Sequence, residues 1–265
     1  MIRIAAIGCL SIAVALQVVT WTPAATAPDL TVRFRGPFGS GADAAWLLEP
    51  STRPMSVVVF LHGWKLAPPS PSYPWVGQFR PWLDHLVSGG SVVLFAAYQR
   101  GGDAQGPVRV ESLRHGLEQG FGHLPRLQLP VIVAGYSYGA SLAFYYAALA
   151  GRWHLPAVRA VDSIFPAEPI PGAALPPLRR SVRVLIQVGD RDSVAGRGGA
   201  DAFWSWLSSP IGREQQLVVV HSSRGFEAVH ASPKLTTARA RRAFWTPLDG
   251  LIDAARRHFG RAEIR

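Results

Sequence analysis

The residues with the clearest chemical potential lie in the segment VIVAGYSYGASLA, at positions 131–143. Ser137 stands between Gly135 and Gly139, where a β-branched apolar run gives way to an Ala-rich one. A serine on a sharp turn from a strand into a helix takes a strained backbone conformation, and side chains two positions to either side would collide there. The spacing therefore predicts a nucleophile elbow, while Gly-x-Ser-x-Gly on its own would also fit an ordinary glycine-rich turn.

A nucleophilic serine needs hydrogen-bond donors for the negative charge that develops on the attacked carbonyl oxygen. In the predicted elbow, Ser137 lies at the start of a helix, so the backbone N–H of Tyr138 is one donor. The segment VVVFLHGWKLAPP offers a second donor, because His62 and Gly63 follow a predicted strand and bring the N–H of Trp64 towards the serine. The alternative is that HGW forms only a tight turn.

Continuous apolar runs rich in β-branched residues predict strands that are buried on both faces of a parallel sheet. They cover residues 57–61, 92–97, 131–134, 182–188 and 217–220, with a weaker run at 158–164. Segments that fit helices lie at about 75–88, 108–120, 138–150, 199–208 and 246–259. This alternation predicts an α/β fold, with residues 31–35 and 44–48 as an antiparallel hairpin at the sheet edge.

Two Pro-rich segments, residues 66–74 and 166–177, each follow a predicted strand. Proline cannot continue a helix or a sheet ladder, so both segments are expected to be loops. Loops at the carboxyl ends of parallel strands form the binding crevice of such sheets, and the second segment could serve there as a short, stiff lid. It is too short for a separate cap domain.

Four motifs in a fixed order, LHGW, GYSYG, GDRD and a histidine after the last predicted strand, resemble the serine-type α/β-hydrolase superfamily, especially its esterases and lipases. The similarity covers most of residues 30–260, and the elbow is its most specific part. It implies an α/β-hydrolase fold with a mostly parallel central sheet, helices on both faces and no large cap domain. Residues 28–265 are accordingly expected to form one domain.

The resemblance also implies a triad of serine, histidine and a carboxylate. The family pattern places the carboxylate three residues after the glycine of GDRD, which favours Asp192. Asp190 is the alternative, although an aspartate beside a glycine often only holds a turn. Asp162 and Glu168, which follow or lie in the weaker strand, are more remote candidates.

The base of the triad is sought among the histidines that follow the acid in the chain. His230 lies in the loop after the last strand, from which an imidazole can reach back over the sheet to Ser137. His221, at the end of that strand, is the weaker candidate. His258 lies within the terminal helix, where a cation near a helix end is a sufficient structural role.

Aromatic residues are frequent around these motifs. Tyr136, Tyr98, Phe165 and Trp75 are expected to line the substrate-binding site, although packing in the core is an equally good account of each. The motif around the elbow carries no charged residue. Together these features predict an apolar acyl group in the substrate.

The 265 residues carry a net charge of +10, and Lys65 and Lys234 are the only lysines among 27 basic residues. The arginines are spread along the chain without a long basic run or a nucleic-acid-binding motif, so no nucleic-acid partner is expected. Cys9 is the only cysteine, which excludes a disulfide within the chain. No cluster of potential ligands suggests a metal, and the predicted chemistry needs no cofactor.

The first 27 residues have a basic residue at position 3, an apolar stretch at 4–19 and an end rich in small residues. This pattern is typical of an export signal, and it predicts a secreted, periplasmic or cell-surface protein. Pro28 directly after Ala27 is unfavourable for signal cleavage. Retention of the segment as a membrane anchor therefore stays an alternative.

The sequence thus predicts an exported serine hydrolase that cleaves small-molecule or lipid carboxylic esters through an acyl-enzyme. Other acyl-transfer reactions on the same triad are an alternative, namely those of a peptidase, thioesterase, acyltransferase or perhydrolase. A non-catalytic binding protein on the same scaffold is another. The oligomeric state is not indicated by any motif.

Overall fold

The structure is a computed structural model that describes residues 32–65, 75–99, 106–125, 128–207 and 214–262. Eight strands form one sheet in the order β1-β2-β4-β3-β5-β6-β7-β8. β2 pairs antiparallel with β1 and β4, and all other neighbouring strands pair in parallel. The strands are β1 Arg33–Phe38, β2 Ala45–Glu49, β3 Ser56–Leu61, β4 Ser91–Ala96, β5 Val131–Tyr136, β6 Val158–Ile164, β7 Arg183–Gly189 and β8 Gln215–Val220.

The helices cover both faces of this sheet. They are α1 Arg80–Ser88, α2 Pro107–Gly122, α3 Tyr138–Leu149, α4 Gly198–Leu207, the single turn α5 Ala238–Ala240 and α6 Thr246–Ala262. Buried residues of α2, α3 and α4 share one apolar cluster with one face of the strands. Those of α1 and α6 share a second cluster with the other face. Burial of each such aliphatic or aromatic side chain stabilises the fold by roughly 1.5–3 kcal/mol.

The predicted continuous apolar runs correspond to the most buried strands. Every residue of β3, β4 and β5 is buried, as expected for parallel strands covered on both faces. β8, at the sheet edge, alternates between half-buried and exposed positions, and only its last residue is buried. The predicted hairpin at the other edge is confirmed, with β1 as the edge strand and β2 paired to it.

The predicted helix over 75–88 differs from the structure in its first turn. Residues Trp75–Phe79 form a 3-10 helix, and the α-helix begins only at Arg80. Pro81 explains the boundary, because proline is accommodated in the first turn of an α-helix but breaks the hydrogen bonding of its interior. The other predicted strands and helices all occur, with ends that shift by a few residues.

The second Pro-rich segment, 166–177, is a loop that is tied to α3. The hydroxyl of Ser141 donates to the carbonyl of Ala167 at 2.7 Å, and the N–H of buried Ile170 donates to the hydroxyl of Tyr145 at 3.0 Å. Its use as a lid stays a prediction. The first Pro-rich segment, 66–74, and the predicted export signal, 1–27, lie outside the described residues. Within the described ranges, no helix has the length and apolarity to cross a bilayer.

Candidate active site

The carboxyl ends of the parallel strands meet at one edge of the sheet, and Ser137 occupies the turn between β5 and α3 there. Its backbone has φ 58° and ψ −124°, a positive φ that a side chain makes costly. The N–H of Ser137 donates to the carbonyl of Ile164 on β6 at 2.9 Å, and its carbonyl accepts from the N–H of Ala140 at 2.9 Å. The predicted elbow geometry is therefore present.

The two glycines of the elbow are required by close backbone contacts. A Cβ on Gly135 would lie 2.2 Å from the carbonyl oxygen of Gly139, and a Cβ on Gly139 would lie 2.2 Å from that of His62. Real Cβ atoms do not approach an oxygen so closely, so any side chain would push α3 away from β5 and β3. These contacts hold Ser137 at a fixed position above the sheet.

His230 joins the serine to a carboxylate, as the sequence predicts. Its Nε2 lies 3.0 Å from Oγ of Ser137, and its Nδ1 lies 2.8 Å from Oδ2 of Asp192. The other carboxylate oxygen of Asp192 accepts the N–H groups of Val194 and Ala195 at 2.9 and 3.1 Å. The Asp192 side chain is fully buried, whereas 16% of the His230 side chain is exposed.

Asp190 and His221, the weaker candidates, lie together beside this chain of hydrogen bonds. The carboxylate of Asp190 accepts the N–H of Ser222 at 2.8 Å and its hydroxyl at 2.5 Å, and these bonds lower the pKa of Asp190. Nδ1 of His221 lies 3.5 Å from Asp190, and 76% of its side chain is exposed. This pair holds the turns after β7 and β8, while Asp192 and His230 face Ser137.

The remaining acid candidates are placed elsewhere. Asp162 is buried within β6, accepts a hydrogen bond from the amide of Gln187 at 2.9 Å, and has its pKa raised to about 7 by burial. Glu168 is exposed near Gly198. In neither case does a described hydrogen bond connect the carboxylate to His230.

Ser232 and Tyr136 position the histidine, and sequence reasoning did not assign these roles. The buried hydroxyl of Ser232 donates to the carbonyl of Glu227 at 2.5 Å and accepts the N–H of Val229 at 3.1 Å. The hydroxyl of Tyr136 donates to the backbone carbonyl of His230 at 2.7 Å. The only signal for Ser232 was its place two residues after the predicted base.

The HGW segment passes directly beside the elbow. A Cβ on Gly63 would lie 2.9 Å from the ring of Tyr136 and 3.1 Å from Cβ of Ser137. Tyr138 is the first residue of α3, so its N–H has no acceptor within the helix. The assignment of the Trp64 and Tyr138 N–H groups to an oxyanion hole stays a prediction, and their rings pack at 5.2 Å.

His62 supports this segment from below. The imidazole is buried and stacks on Tyr98 at 4.4 Å, its Nδ1 lies 2.7 Å from the carbonyl of Gly63, and burial lowers its pKa to about 3. The hydroxyl of Tyr98 donates to the carbonyl of His62 at 2.6 Å. A neutral ring and a tyrosine thus fix the backbone that precedes Trp64.

The aromatic residues predicted to bind substrate are mostly enclosed. Tyr98 and Phe165 have no exposed surface, and 2% of Tyr136 is exposed. Phe165 packs 5.5 Å from Phe244 and 6.2 Å from the ring of His230. The side chain of Trp75 lies outside the described part of the structure. Contact of these four residues with a substrate stays a prediction, while their observed contacts support the site.

Two charged side chains lie near the elbow, although the elbow motif itself carries none. Lys65 follows Trp64 directly, and the ammonium group of Lys234 lies 5.2 Å from the centre of the Tyr136 ring. Neither residue belongs to the elbow motif, so sequence proximity could not reveal them. Among the described residues, no group of three or more His, Cys, Asp or Glu could hold a metal ion.

A cavity of about 330 Å³ lies at the other end of the parallel strands, where their amino ends meet. Its lining includes Val57, Val92 and Val131, which stand at the amino ends of β3, β4 and β5. Because Ser137 follows the carboxyl end of β5, this cavity belongs to a different part of the molecule from the candidate active site.

No protein-family model matches the sequence, and a search of curated proteins gave no significant match. Solved structures are similar in architecture at low identity. Esterase B from Lactobacillus rhamnosis is 15% identical, with a TM-score of 0.65 and 90% of each chain covered. An esterase from Pyrobaculum calidifontis is 16% identical, with a TM-score of 0.62 and coverage of 86% of this chain and 87% of that one.

An alpha/beta hydrolase enzyme from a Medee basin deep-sea metagenome library is 14% identical, with a TM-score of 0.57, and covers 80% of this chain and 92% of its own. Its strands and helices therefore follow the same path over most of both chains. With the sheet order and the position of the elbow, this similarity establishes that the chain adopts the α/β-hydrolase fold.

Proposed function

We propose that this protein is a serine hydrolase that cleaves carboxylic esters through an acyl-enzyme. The observation that carries the proposal is the unbroken hydrogen-bond chain from Asp192 through His230 to Ser137. A serine hydroxyl becomes nucleophilic at neutral pH when an oriented imidazole can accept its proton. The positive φ at Ser137 adds support, because strained backbone is concentrated at functional sites.

In the proposed reaction, Oγ of Ser137 attacks the ester carbonyl while Nε2 of His230 takes the hydroxyl proton. The carbonyl oxygen becomes an oxyanion, which the N–H groups of Trp64 and Tyr138 stabilise. The intermediate collapses, the alcohol leaves with the proton from His230, and the acyl group stays on Ser137. A water molecule then gives its proton to His230 and attacks the acyl-enzyme, which releases the acid and restores the serine.

Asp192 has a positioning and electrostatic role in this scheme. Its carboxylate accepts the Nδ1–H of His230, which leaves the lone pair of Nε2 directed at Ser137. Two backbone N–H groups hold the carboxylate itself, so the orientation of the imidazole is fixed before substrate binds. We further propose an apolar acyl group, because Trp64 and Tyr138 pack together beside the serine. No step requires a cofactor.

The test uses p-nitrophenyl esters of graded chain length and a fluorophosphonate probe. Ser137→Ala should abolish hydrolysis and labelling while the protein stays folded, because alanine removes only the hydroxyl. Ser181→Ala is the matched control, since this serine is exposed at the opposite end of the sheet and should retain both. Labelling of folded wild type at another residue, or full activity of Ser137→Ala, would contradict the proposal.

The other acyl-transfer reactions remain alternatives, since the same triad serves all of them. Parallel assays with thioester, peptide and competing alcohol acceptors separate them from ester hydrolysis. A binding protein on the same scaffold would show neither turnover nor covalent labelling. Its tolerance of a strained serine without chemical use would then need another explanation.

We also propose that residues 1–27 direct export, which leaves membrane association through an uncleaved apolar segment as the alternative. The basis is the basic, apolar and small-residue pattern of the sequence. Sequencing of the amino terminus of protein expressed from the full gene tests it. A mature start near residue 28 in the exported fraction is expected, and intact chain in the cytosol would contradict the proposal.

A further inference from the structure

The two lysines of the chain lie at the same place in the fold. Lys65 and Lys234 are the only lysines among the 27 lysine and arginine residues, and they are 169 positions apart in the sequence. Lys65 follows the HGW segment after β3. Lys234 ends the 3-10 turn Ser232–Lys234, which begins two residues after His230. Lys234 lies over the ring of Tyr136, the residue directly before Ser137, and its charge acts on Lys65.

Lys234 is positioned by the ring that also supports the base. Its ammonium group lies 5.2 Å from the centre of the Tyr136 ring, and that ring packs 5.0 Å from the ring of His230. The same tyrosine donates its hydroxyl to the His230 carbonyl. Lys234 and His230 therefore pack against the same ring, and Nε2 of His230 is the atom that protonates the leaving alcohol in the proposed reaction.

Lys65 is held by its backbone and its side chain. Its N–H donates to the amide oxygen of buried Gln99 at 3.0 Å, and its carbonyl accepts the amide of Gln99 at 2.8 Å. The ammonium group donates to the amide oxygen of Gln78. These contacts leave Lys65 half-buried next to the proposed oxyanion donor Trp64.

The positive charges of the two lysines repel each other. Burial lowers the pKa of both side chains, and the positive charge of Lys234 contributes to lowering that of Lys65 to about 8. Within the described ranges, neither ammonium group has a carboxylate within 4 Å. Two half-buried like charges that have no counter-ion among the described residues cost stability, so their joint presence at a site calls for a negative partner.

We propose that Lys65 and Lys234 form a binding site for an anionic group on the ester substrate. The inference rests on the proposed function, and it names the substrate class as a carboxylate- or phosphate-bearing ester. The apolar acyl group and the position of Lys234 beside His230 place the anion on the alcohol half. A negative group bound between two cations gains charge-assisted hydrogen bonds and relieves their repulsion.

The experiment compares two matched pairs of esters. For the alcohol half, p-acetoxybenzoate is set against its neutral methyl ester. For the acyl half, mono-p-nitrophenyl glutarate is set against p-nitrophenyl butyrate. The measured quantity is the ratio of kcat/KM for the anionic ester to kcat/KM for the neutral one, at low and at high salt, since salt screens charge recognition.

Wild type should prefer the anionic ester of the alcohol-half pair, and this ratio should fall in high salt. A preference confined to the glutarate pair would overturn the placement of the anion on the alcohol half. Lys65→Gln with Lys234→Gln should lower the ratio by at least about tenfold, the size expected for loss of hydrogen bonds to a charged group. The double variant Lys65→Arg with Lys234→Arg keeps both charges and should keep most of the wild-type ratio. Arg53→Gln with Arg180→Gln removes the same charge from exposed positions near the amino ends of β3 and β7 and should leave it unchanged.

A ratio near one in wild type, or an equal loss for both esters in the glutamine variant, would overturn the anion site. If the glutamine variant fails to fold, the ratio is measured at low and high salt for wild type and the arginine variant. A ratio that does not fall in high salt for either protein would then overturn the anion site. The proposed function stands or falls separately. Absence of fluorophosphonate labelling and of turnover with every ester would overturn the hydrolase, whereas turnover of neutral esters without charge preference overturns only the anion site.

Discussion

The two halves of the candidate active site are held in place by different means. Ser137 is fixed by backbone packing, with glycines pressed against carbonyl oxygens of neighbouring elements. His230 lies instead in a loop after the edge strand β8, where side-chain hydrogen bonds from Ser232 and Tyr136 add to the packing of Ala228 against Gly189. The nucleophile thus depends mainly on the absence of side chains, and the base depends in addition on the presence of particular ones.

This difference explains why the halves differ in their tolerance to change. Packed backbone at the end of buried strands cannot move without disturbing the core. A hydrogen-bonded loop can lose one bond and keep its overall path, at a net cost of about 0.5–1.5 kcal/mol for each bond. Substitutions of the elbow glycines should therefore act on folding, and those in the second half should act mainly on rate.

The strongest break in the packed half is Gly139→Ala. The new Cβ would meet the His62 carbonyl oxygen at 2.2 Å, so we expect destabilisation of at least about 3 kcal/mol or failure to fold. Gly250→Ala is the matched control, because this exposed position of α6 has no atom within 4 Å of a new Cβ and should gain about 0.5–1 kcal/mol. Urea unfolding measures both. Equal stability of the two variants would refute the packing argument.

The largest effect on rate in the hydrogen-bonded half is expected for Asp192→Asn. The amide cannot hold the imidazole in the required tautomer, and neutralisation of a triad carboxylate lowers kcat by about 10⁴-fold. Asp190→Asn, two positions earlier, should cost less than about tenfold, because its bonds go to Ser222. Steady-state kinetics on a p-nitrophenyl ester measures both variants. The reverse order of effects would transfer the role of acid to Asp190.

The sequence predicted the packed half better than the hydrogen-bonded half. The spacing of Gly135, Ser137 and Gly139 carries the geometry of the elbow, because steric exclusion acts between residues that are close in the chain. The continuous apolar runs likewise predicted β3, β4 and β5, since burial on both faces leaves a direct mark on composition. The hairpin of β1 and β2 was also predicted and is confirmed.

The contacts that join distant parts of the chain could not be read in the same way. Tyr136 and His230 are 94 positions apart, and nothing local in either segment indicates their hydrogen bond. The approach of Lys65 and Lys234 was missed for the same reason. The choice between Asp190 and Asp192 was left open because two residues of one turn differ only in which neighbour they face.

The smallest expected effect concerns Tyr136, which connects the two halves. Tyr136→Phe keeps the ring beside His230 and Lys234 and removes only the hydroxyl that donates to the His230 carbonyl. We expect kcat/KM to fall about five- to tenfold, as loss of one hydrogen bond of about 1 kcal/mol lets the histidine loop shift. Stability should fall by a similar free energy.

Tyr146→Phe separates positioning from stability. Its buried hydroxyl donates to the carbonyl of Pro156 at 2.9 Å, near the carboxyl end of α3 and away from the elbow, so this variant should lose comparable stability and keep its rate. If both variants lose rate equally, the effect of Tyr136 is general loosening of the fold. A rate loss confined to Tyr136→Phe would instead mean that the hydroxyl of Tyr136, at the end of a buried strand, holds the backbone of His230 in the position that catalysis needs.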